Sequence, residues 1–492
     1  MVSIIHKLDW RVAWWALFAI SAALRLIALD GPALWYDEAG STWMASLPTD
    51  RMIVATAGDV HPPLSMLMLS PLVWAFGPQA WVVRLPSVLF GLAAIWLTRR
   101  IAERIGLSPS ANLVASSLVA LSPFQLYFSQ EARMYALLQA LVLAATLAAL
   151  NGRYGWFVLW STLALYTHNY GVIYLAVIGV VIIGRELMMP HTQSKFSILP
   201  ITLASPLLLW SPWLVVVLTM QMRDYAADWI PPLTLAGWLQ PFMEFIWPSS
   251  TTTQWLWPAT TLLTFMIVLY AMCAVIIFSD RRAHFLAWMC IAPALLATAI
   301  TLLWRPMYLW RPLIGIAPFL YLLIAWALAN TPRRAWLTAL AISPLMLIGV
   351  HTYYPNVERV KGSNDMPLLD VARAISSHWK EGDIIYHINV GSIMPMKFYA
   401  EDYQPVFLMP AEAGSLGVLR PVTRQAMGMV EVPLDQLQWR RAWLVWTAGP
   451  TVTEAEDREV AKMLSRYLHQ QFIHWRSEYT VGGLWLLYQG VD

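Results

Sequence analysis

Positions 12–29 read VAWWALFAISAALRLIAL and run without a break into Asp30-Gly31-Pro32 and then Trp35-Tyr36-Asp37-Glu38. Lys7 and Arg11 precede the run. A secretory signal would have a shorter apolar core and a small-residue cleavage site, so this run predicts an uncleaved signal anchor. Two adjacent carboxylates therefore stand just beyond a membrane helix, with two aromatics in front of them.

The rest of the chain has the same character. Of its 492 residues 58% are hydrophobic and 12% charged, and the mean hydropathy is +0.54. A soluble chain carries about twice that charged fraction. These figures exclude an ordinary soluble enzyme, and the net charge of +3 gives no sign of a nucleic-acid partner. The 28 Trp and 19 Tyr fit a membrane protein, because amphipathic rings favour the interface. Trp10, Trp35, Trp81, Trp304 and Trp310 lie at segment ends. Cys273 and Cys290 are the only cysteines, each in an apolar run, so neither a disulfide framework nor a zinc site is expected.

A spanning helix needs about 20 mostly apolar residues. Eleven segments qualify, at 11–29, 81–100, 111–128, 134–150, 154–168, 171–186, 198–218, 258–279, 284–303, 311–329 and 335–351. Segment 61–76 is apolar but short and proline-led, which fits an interfacial helix or a short span. With a cytoplasmic N-terminus, Arg99, Arg100, Arg104, Arg153, Arg185, Lys195, Arg281, Arg282, Arg333 and Arg334 fall inside, as the positive-inside rule requires. The first loop (30–80), a second long loop (219–257) and everything after 351 then lie outside. The stretch Leu233 to Trp247 reads as an amphipathic lid on the membrane.

The two regions expected are a membrane region, 1–351, and a small extracytoplasmic α/β domain, 352–492. In the second, Leu368, Val371, Ala372, Ile375 and Trp379 recur at helical spacing, as do Val460, Met463, Leu464, Tyr467 and Leu468. Ile384-Ile385-Tyr386, Ala442 to Trp446 and Gly483 to Tyr488 read as strands, and alternating helix and strand argues for an α/β fold.

Ionisable residues at the outer ends of spans are costly and point to function. They group as Asp37, Glu38, Asp59 and His61 in the first loop, Gln130-Glu131-Ala132-Arg133-Met134-Tyr135, Tyr166-Thr167-His168-Asn169-Tyr170, and Arg305 to Arg311. Each has a plainer reading. The acids are also what a solvated loop carries, Arg84 and Arg311 have stems long enough to snorkel, and His168 suits a hydrogen-bonded turn. Glu131 and Arg133 are two apart, so a helix would not pair them. Arg25 lies about 6 Å below the outer end of its helix and reads as a snorkelling or helix-pairing residue. One chemistry uses all the groups: a sugar on a lipid phosphate, with guanidinium groups holding the phosphate and a carboxylate taking the proton of an incoming hydroxyl.

With Trp35-Tyr36-Asp37-Glu38-Ala39, His61-Pro62-Pro63-Leu64, Arg84-Leu85-Pro86-Ser87, Gln130 to Tyr135 and Thr167-His168-Asn169-Tyr170-Gly171 in this order, the chain resembles the C-type (GT-C) membrane glycosyltransferases. The likeness is to the protein O-mannosyltransferase and aminoarabinose-transferase-like group and covers about residues 10–350. It implies an inverting transferase that takes a sugar from a polyprenyl phosphate and passes it to a glycan, lipid or protein hydroxyl in the cell envelope. By that resemblance Asp37 is the catalytic base, and Glu38 orients the acceptor or tunes Asp37. Arg133 and Arg311 hold the donor phosphate, with Arg84 as a further candidate. His61, Glu131, Tyr135, His168 and Tyr170 are expected to bind substrate. The lipid-modifying branch has Lys where His61 stands, which argues against an aminoarabinose donor. The Trp-Trp-Asp signature of the metal-dependent oligosaccharyltransferase branch is missing, so no obligatory metal is expected. A flippase of lipid-linked sugars and a non-catalytic scaffold are the alternatives; neither repeat symmetry nor helices broken at the midplane favour the former.

Overall fold

The structure is a computed structural model and describes residues 9–189, 196–222, 230, 232–247, 257–331, 346–354, 368–387, 390–399, 405–409, 419–433, 441–447, 474–480 and 483–489. The apolar runs become helices: α1 (Trp10–Leu26), α5 (Ala80–Arg104), α6 (Pro109–Leu121), α7 (Pro123–Ser129), α8 (Tyr135–Leu150), α9 (Tyr154–Thr167), α10 (Gly171–Leu187), α11 (Leu199–Val216), α13 (Trp257–Phe278), α14 (Arg281–Leu303) and α15 (Ala317–Asn330). Between α1 and α5 the first loop folds into α2 (Tyr36–Ser46), α3 (Thr49–Gly58) and α4 (Leu64–Phe76). α12 (Leu235–Ile246) precedes α13, and a 3-10 turn (Arg311–Ile316) leads into α15. Among the described residues five helices are long and apolar enough to cross a membrane, six if the bent pair α6–α7 counts as one span. The chain is a multi-pass membrane protein. The eleventh expected segment lies mostly outside the described residues; 346–353 are helical. With 13 residues, α4 is one of the shorter apolar helices.

A break in the third expected span, 111–128, explains Arg25. Pro123 has no N–H to return to Val119, and α6 and α7 meet at 56°. Arg25 reaches across from α1 and donates to the carbonyls of Val119 (3.1 Å) and Ala120 (2.9 Å) and to Ser129 Oγ (3.0 Å). It is fully buried, so it pairs helices and does not snorkel. Gly91 permits the approach, since a Cβ there would lie 2.2 Å from Ser129 Oγ. Gln130 performs the matching task for α1, donating to the carbonyls of Arg25 (3.0 Å) and Ile27 (2.7 Å).

The stretch expected as a lid forms α12, but its C-terminal half is buried and fastened. Ser122 Oγ donates to the Phe245 carbonyl (3.1 Å), as does Tyr321, and Tyr308 donates to that of Trp238 (2.9 Å). Only the N-terminal end, with Leu235, is exposed.

After the helices come α16 (Leu368–His378), β1 (Ile384–His387), α17 (Val390–Tyr399), β2 (Pro405–Met409), α18 (Pro421–Met427), β3 (Val430–Pro433), β4 (Arg441–Thr447), β5 (His474–Thr480) and β6 (Gly483–Gln489). The expected helix around Val460 to Leu468 lies outside the described residues. The strands form one sheet in the order β3-β2-β1-β4-β6-β5. β3, β2, β1 and β4 run parallel, and β6 returns antiparallel to β4 and β5. Ile385, Trp443 and Val445 pack beneath it with Val371 and Ile375 of α16.

Two helices of this region dock on the first loop. Met394 of α17 and Met427 of α18 share a buried cluster with Trp43, Met44 and Met52. Thr423 Oγ donates to the Ala55 carbonyl (3.0 Å) and Arg51 Nε to that of Ala426 (2.9 Å). Arg420 donates to the carbonyls of Met220 and Gln221 (2.8 Å) at the end of a π-helical turn (Val217–Gln221) that closes α11. Gly58 makes the α3–α18 contact possible, because a Cβ on it would meet Thr423 Oγ1 at 2.3 Å.

Candidate active site

Helix α2 aims the two adjacent acids in different directions. Trp35 is its extended N-cap, and Asp37 and Glu38 occupy the first turn, where the helix dipole favours negative charge. Consecutive residues on a helix point about 100° apart. Glu38 therefore turns into the protein and Asp37 towards the side chains of Arg133 and Arg311.

Glu38 is bound on every side. It accepts from Arg84 Nε (2.8 Å) and Nη2 (2.6 Å) and from the Ala132 amide (2.9 Å). Arg84 donates its remaining protons to the carbonyls of Leu29 (2.8 Å), Pro32 (2.9 Å) and Ala33 (3.2 Å). Both side chains are fully buried. Arg84 thus spends its N–H groups on Glu38 and loop carbonyls, and Glu38 spends its oxygens on Arg84 and the Ala132 amide, so the pair anchors the first loop.

Asp37 is held more loosely. Arg311 Nη1 lies 3.5 Å and Arg133 Nε 4.0 Å from its Oδ2. Arg133 is enclosed, with a side chain 7% exposed, whereas Arg311 at 38% opens to the outside. Arg133 donates to Ser41 Oγ (3.0 Å) and to His61 Nε2 (3.1 Å). A guanidinium has no lone pair, so His61 accepts through Nε2 and carries its proton on Nδ1. Burial, then Arg133 and His168, push His61 well below the usual histidine range. Burial works against the charge of Arg133, but Asp37, Tyr135, Asp59 and Glu131 more than offset it and raise its pKa. Arg311 stacks between Trp35 and Trp310, at 5.5 and 5.6 Å from the ring centres.

The remaining expected residues divide. Glu131 is 1% exposed, with Tyr127 OH donating to its Oε1 (3.4 Å). Burial raises its pKa to about 7. The rings of Tyr135 and His168 are 6.1 Å apart, and that of His168 is 5.1 Å from His61. His168 Nδ1 accepts from the Tyr170 amide (3.1 Å), and burial drives its pKa down to about 3. The Tyr170 hydroxyl donates to the Met307 carbonyl and accepts from the Leu309 amide (3.1 Å). It fastens the segment that presents Arg311.

Sequence reading did not assign roles to Ser41, Tyr127 or Asp59. Ser41 follows Asp37 by one helical turn, which is the only signal it offers. Asp59 has its pKa raised by burial, while Arg133 pulls the other way. Among the described residues, Trp35 Nε1, His61 Nδ1, Glu131 Oε2 and Arg133 Nε are buried without a hydrogen-bond partner. Such atoms cost about 1–3 kcal/mol each, and their gathering in one place marks a site for a polar ligand. An apolar crevice lined by Met66, Leu69, Val83, Phe90 and Leu137 ends at Arg133. Among the described residues no cluster of three His, Cys, Asp or Glu has metal-holding geometry.

No protein-family model and no curated protein matches the chain. Solved structures do. ArnT from Cupriavidus metallidurans in the apo state aligns with a TM-score of 0.65 over 97% of this chain and 98% of that one, at 14% identity. The same protein bound to undecaprenyl phosphate aligns at 0.61 over 96% and 98%, also at 14% identity. At that identity the likeness is one of architecture, and the chain has the fold of the C-type membrane glycosyltransferases that its ordered motifs resemble.

Proposed function

We propose that the protein is an inverting glycosyltransferase that moves a sugar from a polyprenyl phosphate to a hydroxyl acceptor in the cell envelope. One observation carries this reading: a carboxylate, Asp37, flanked by two guanidiniums that are not locked onto it. Arg133 and Arg311 hold the donor phosphate and stabilise the charge it gains on leaving. Asp37 takes the proton of the acceptor hydroxyl. The hydroxyl oxygen bonds to the anomeric carbon as the carbon–oxygen bond to phosphate breaks on the opposite face, and the configuration inverts. The guanidiniums supply the countercharge in this scheme, so no metal is required, and EDTA should leave transfer unchanged.

The undecaprenyl phosphate bound by the structurally similar ArnT supports a polyprenyl carrier. The apolar crevice beside Arg133 suits the start of such a chain. In this reading the membrane region has eleven spans, the N-terminus is cytoplasmic, and residues 352–492 form an extracytoplasmic domain over the site. Acceptors are a glycan, a lipid or a protein.

The test is label transfer from a polyprenyl-phosphate hexose to envelope extract by the reconstituted protein. Asp37→Asn should lower the rate by about 10²–10⁴-fold while carrier binding persists. Equal transfer by wild type and variant would remove Asp37 as the base.

A further inference from the structure

Besides Asp37, a second carboxyl, that of Glu131, lies within electrostatic reach of the same two guanidiniums. Glu131 is held in place by its backbone: Ser87 Oγ donates to its carbonyl (2.6 Å), and the next amide is taken by Glu38. Its Oε2 is buried and has no hydrogen-bond partner among the described residues. The charged and titratable groups around it are Arg311 from the 3-10 turn, Glu38 and Asp37 from α2, Arg133 from its own loop, Tyr127 from α7, Tyr135 from α8 and Tyr353 from the helix 346–353. Arg84 is neutralised by Glu38. Asp59 has Arg420 as a second cation nearby.

The charge count does not accommodate everything at once. Two guanidiniums facing one carboxylate, Asp37, leave one positive charge, which matches the single negative charge of a sugar phosphodiester. An ionised Glu131 cancels that surplus. Asp37 is needed as a carboxylate for the reaction, so Glu131 is the group free to become neutral.

Resting on the transferase reading, we propose that Glu131 is a positioning residue that couples donor binding to a proton: Arg133 and Arg311 receive the phosphate when the Glu131 carboxyl is protonated and are held back from it when Glu131 is ionised. Its raised pKa places the change near neutral pH. Donor affinity is therefore full at lower pH and falls as pH rises through that value.

A polyprenyl-phosphate hexose in detergent, titrated without acceptor into wild type and Glu131→Gln, tests this. Its phosphodiester has no second ionisation, so the probe keeps a single negative charge at every pH used. Between about pH 8 and 9 the wild-type Kd should rise by up to about tenfold, one proton being taken up per phosphate bound. Glu131→Gln, which keeps the neutral shape, should bind with a flat profile there. A flat wild-type profile, or an equal slope in the variant, overturns the role of Glu131. Should that variant fail to fold, Glu131→Ala takes its place and should bind with the same flat profile, an equal slope there overturning the role. Absence of probe binding by both proteins at every pH would instead overturn the donor reading itself.

Discussion

Glu38 and Arg84 meet through two charge-assisted hydrogen bonds, at 2.8 and 2.6 Å, with neither side chain touching solvent. The pair fixes the first loop to α5, and the Ala132 amide on Glu38 adds the loop that carries Arg133. Asp37 owes its position to the anchoring of its neighbour.

Removing one partner of a buried ion pair strands the other and costs about 3–5 kcal/mol. Glu38→Ala and Arg84→Ala should each lower the unfolding midpoint strongly, and saturating donor should not restore transfer. The double variant Glu38→Met/Arg84→Met should be milder than either. If the single variants keep wild-type midpoints, the anchoring role is wrong.

Arg311 is the more exposed of the two guanidiniums proposed to hold the phosphate and has no structural hydrogen bond among the described residues. Losing a charged hydrogen bond costs about 1.5–3 kcal/mol, so Arg311→Ala should raise the donor KM by roughly 10–150-fold. The acceptor KM and the unfolding midpoint should stay near wild type. Arg133→Ala should also lose stability, since it frees Ser41 and His61. A change confined to acceptor KM would reverse these assignments.

His61 and His168 are buried neutral, and both pKa values are depressed. The unfolded chain binds more protons than the folded one once pH drops below the ordinary histidine value of about 6.5. Their contribution to stability is complete above that value and is lost as pH falls through it. The midpoint should therefore decline from about pH 6.5 towards pH 5, and His168→Gln should flatten the decline. An unchanged slope in that variant would show that the acid sensitivity lies elsewhere.

How far the sequence discloses this site depends on the range of the interaction. Asp37, Arg133 and Arg311 stand out because charge at a span end needs a reason. Ten of the eleven apolar runs are helical because their composition alone commits them to it. The Glu38–Arg84 pair is invisible because its partners are 46 residues apart, and nothing local separates Glu38 from Asp37 except a rotation along the helix. Trp35 and Trp310 look like interfacial aromatics, and only the fold shows them flanking Arg311. The strands around Trp443 and Trp485 were legible from their apolar runs, whereas β5, HWRSEYT, is too polar to announce itself. The docking of α17 and α18 on the first loop is a tertiary fact without a local signature.

That docking predicts a defined lesion. A Cβ on Gly58 would lie 2.3 Å from Thr423 Oγ1 and 2.4 Å from Val422 Cγ1. Gly58→Ala should cost about 1–3 kcal/mol as overpacking. Amide exchange in 421–427 should accelerate, and transfer should weaken with it. Unaltered exchange there would mean that α18 is held by other contacts.

The π-helical turn Val217–Gln221 has a consequence for chain length. A π turn holds one residue more than the α turn it replaces. Gln221, which bonds the Thr56 carbonyl and the Asn169 amide, keeps its bearing only because of that surplus residue. Deleting one residue from 217–220 would relax the turn to α geometry and swing Gln221 and Arg420's two carbonyl acceptors round the helix axis by about 100°. In this segment the number of residues is itself a specification of the site, independent of which residues they are.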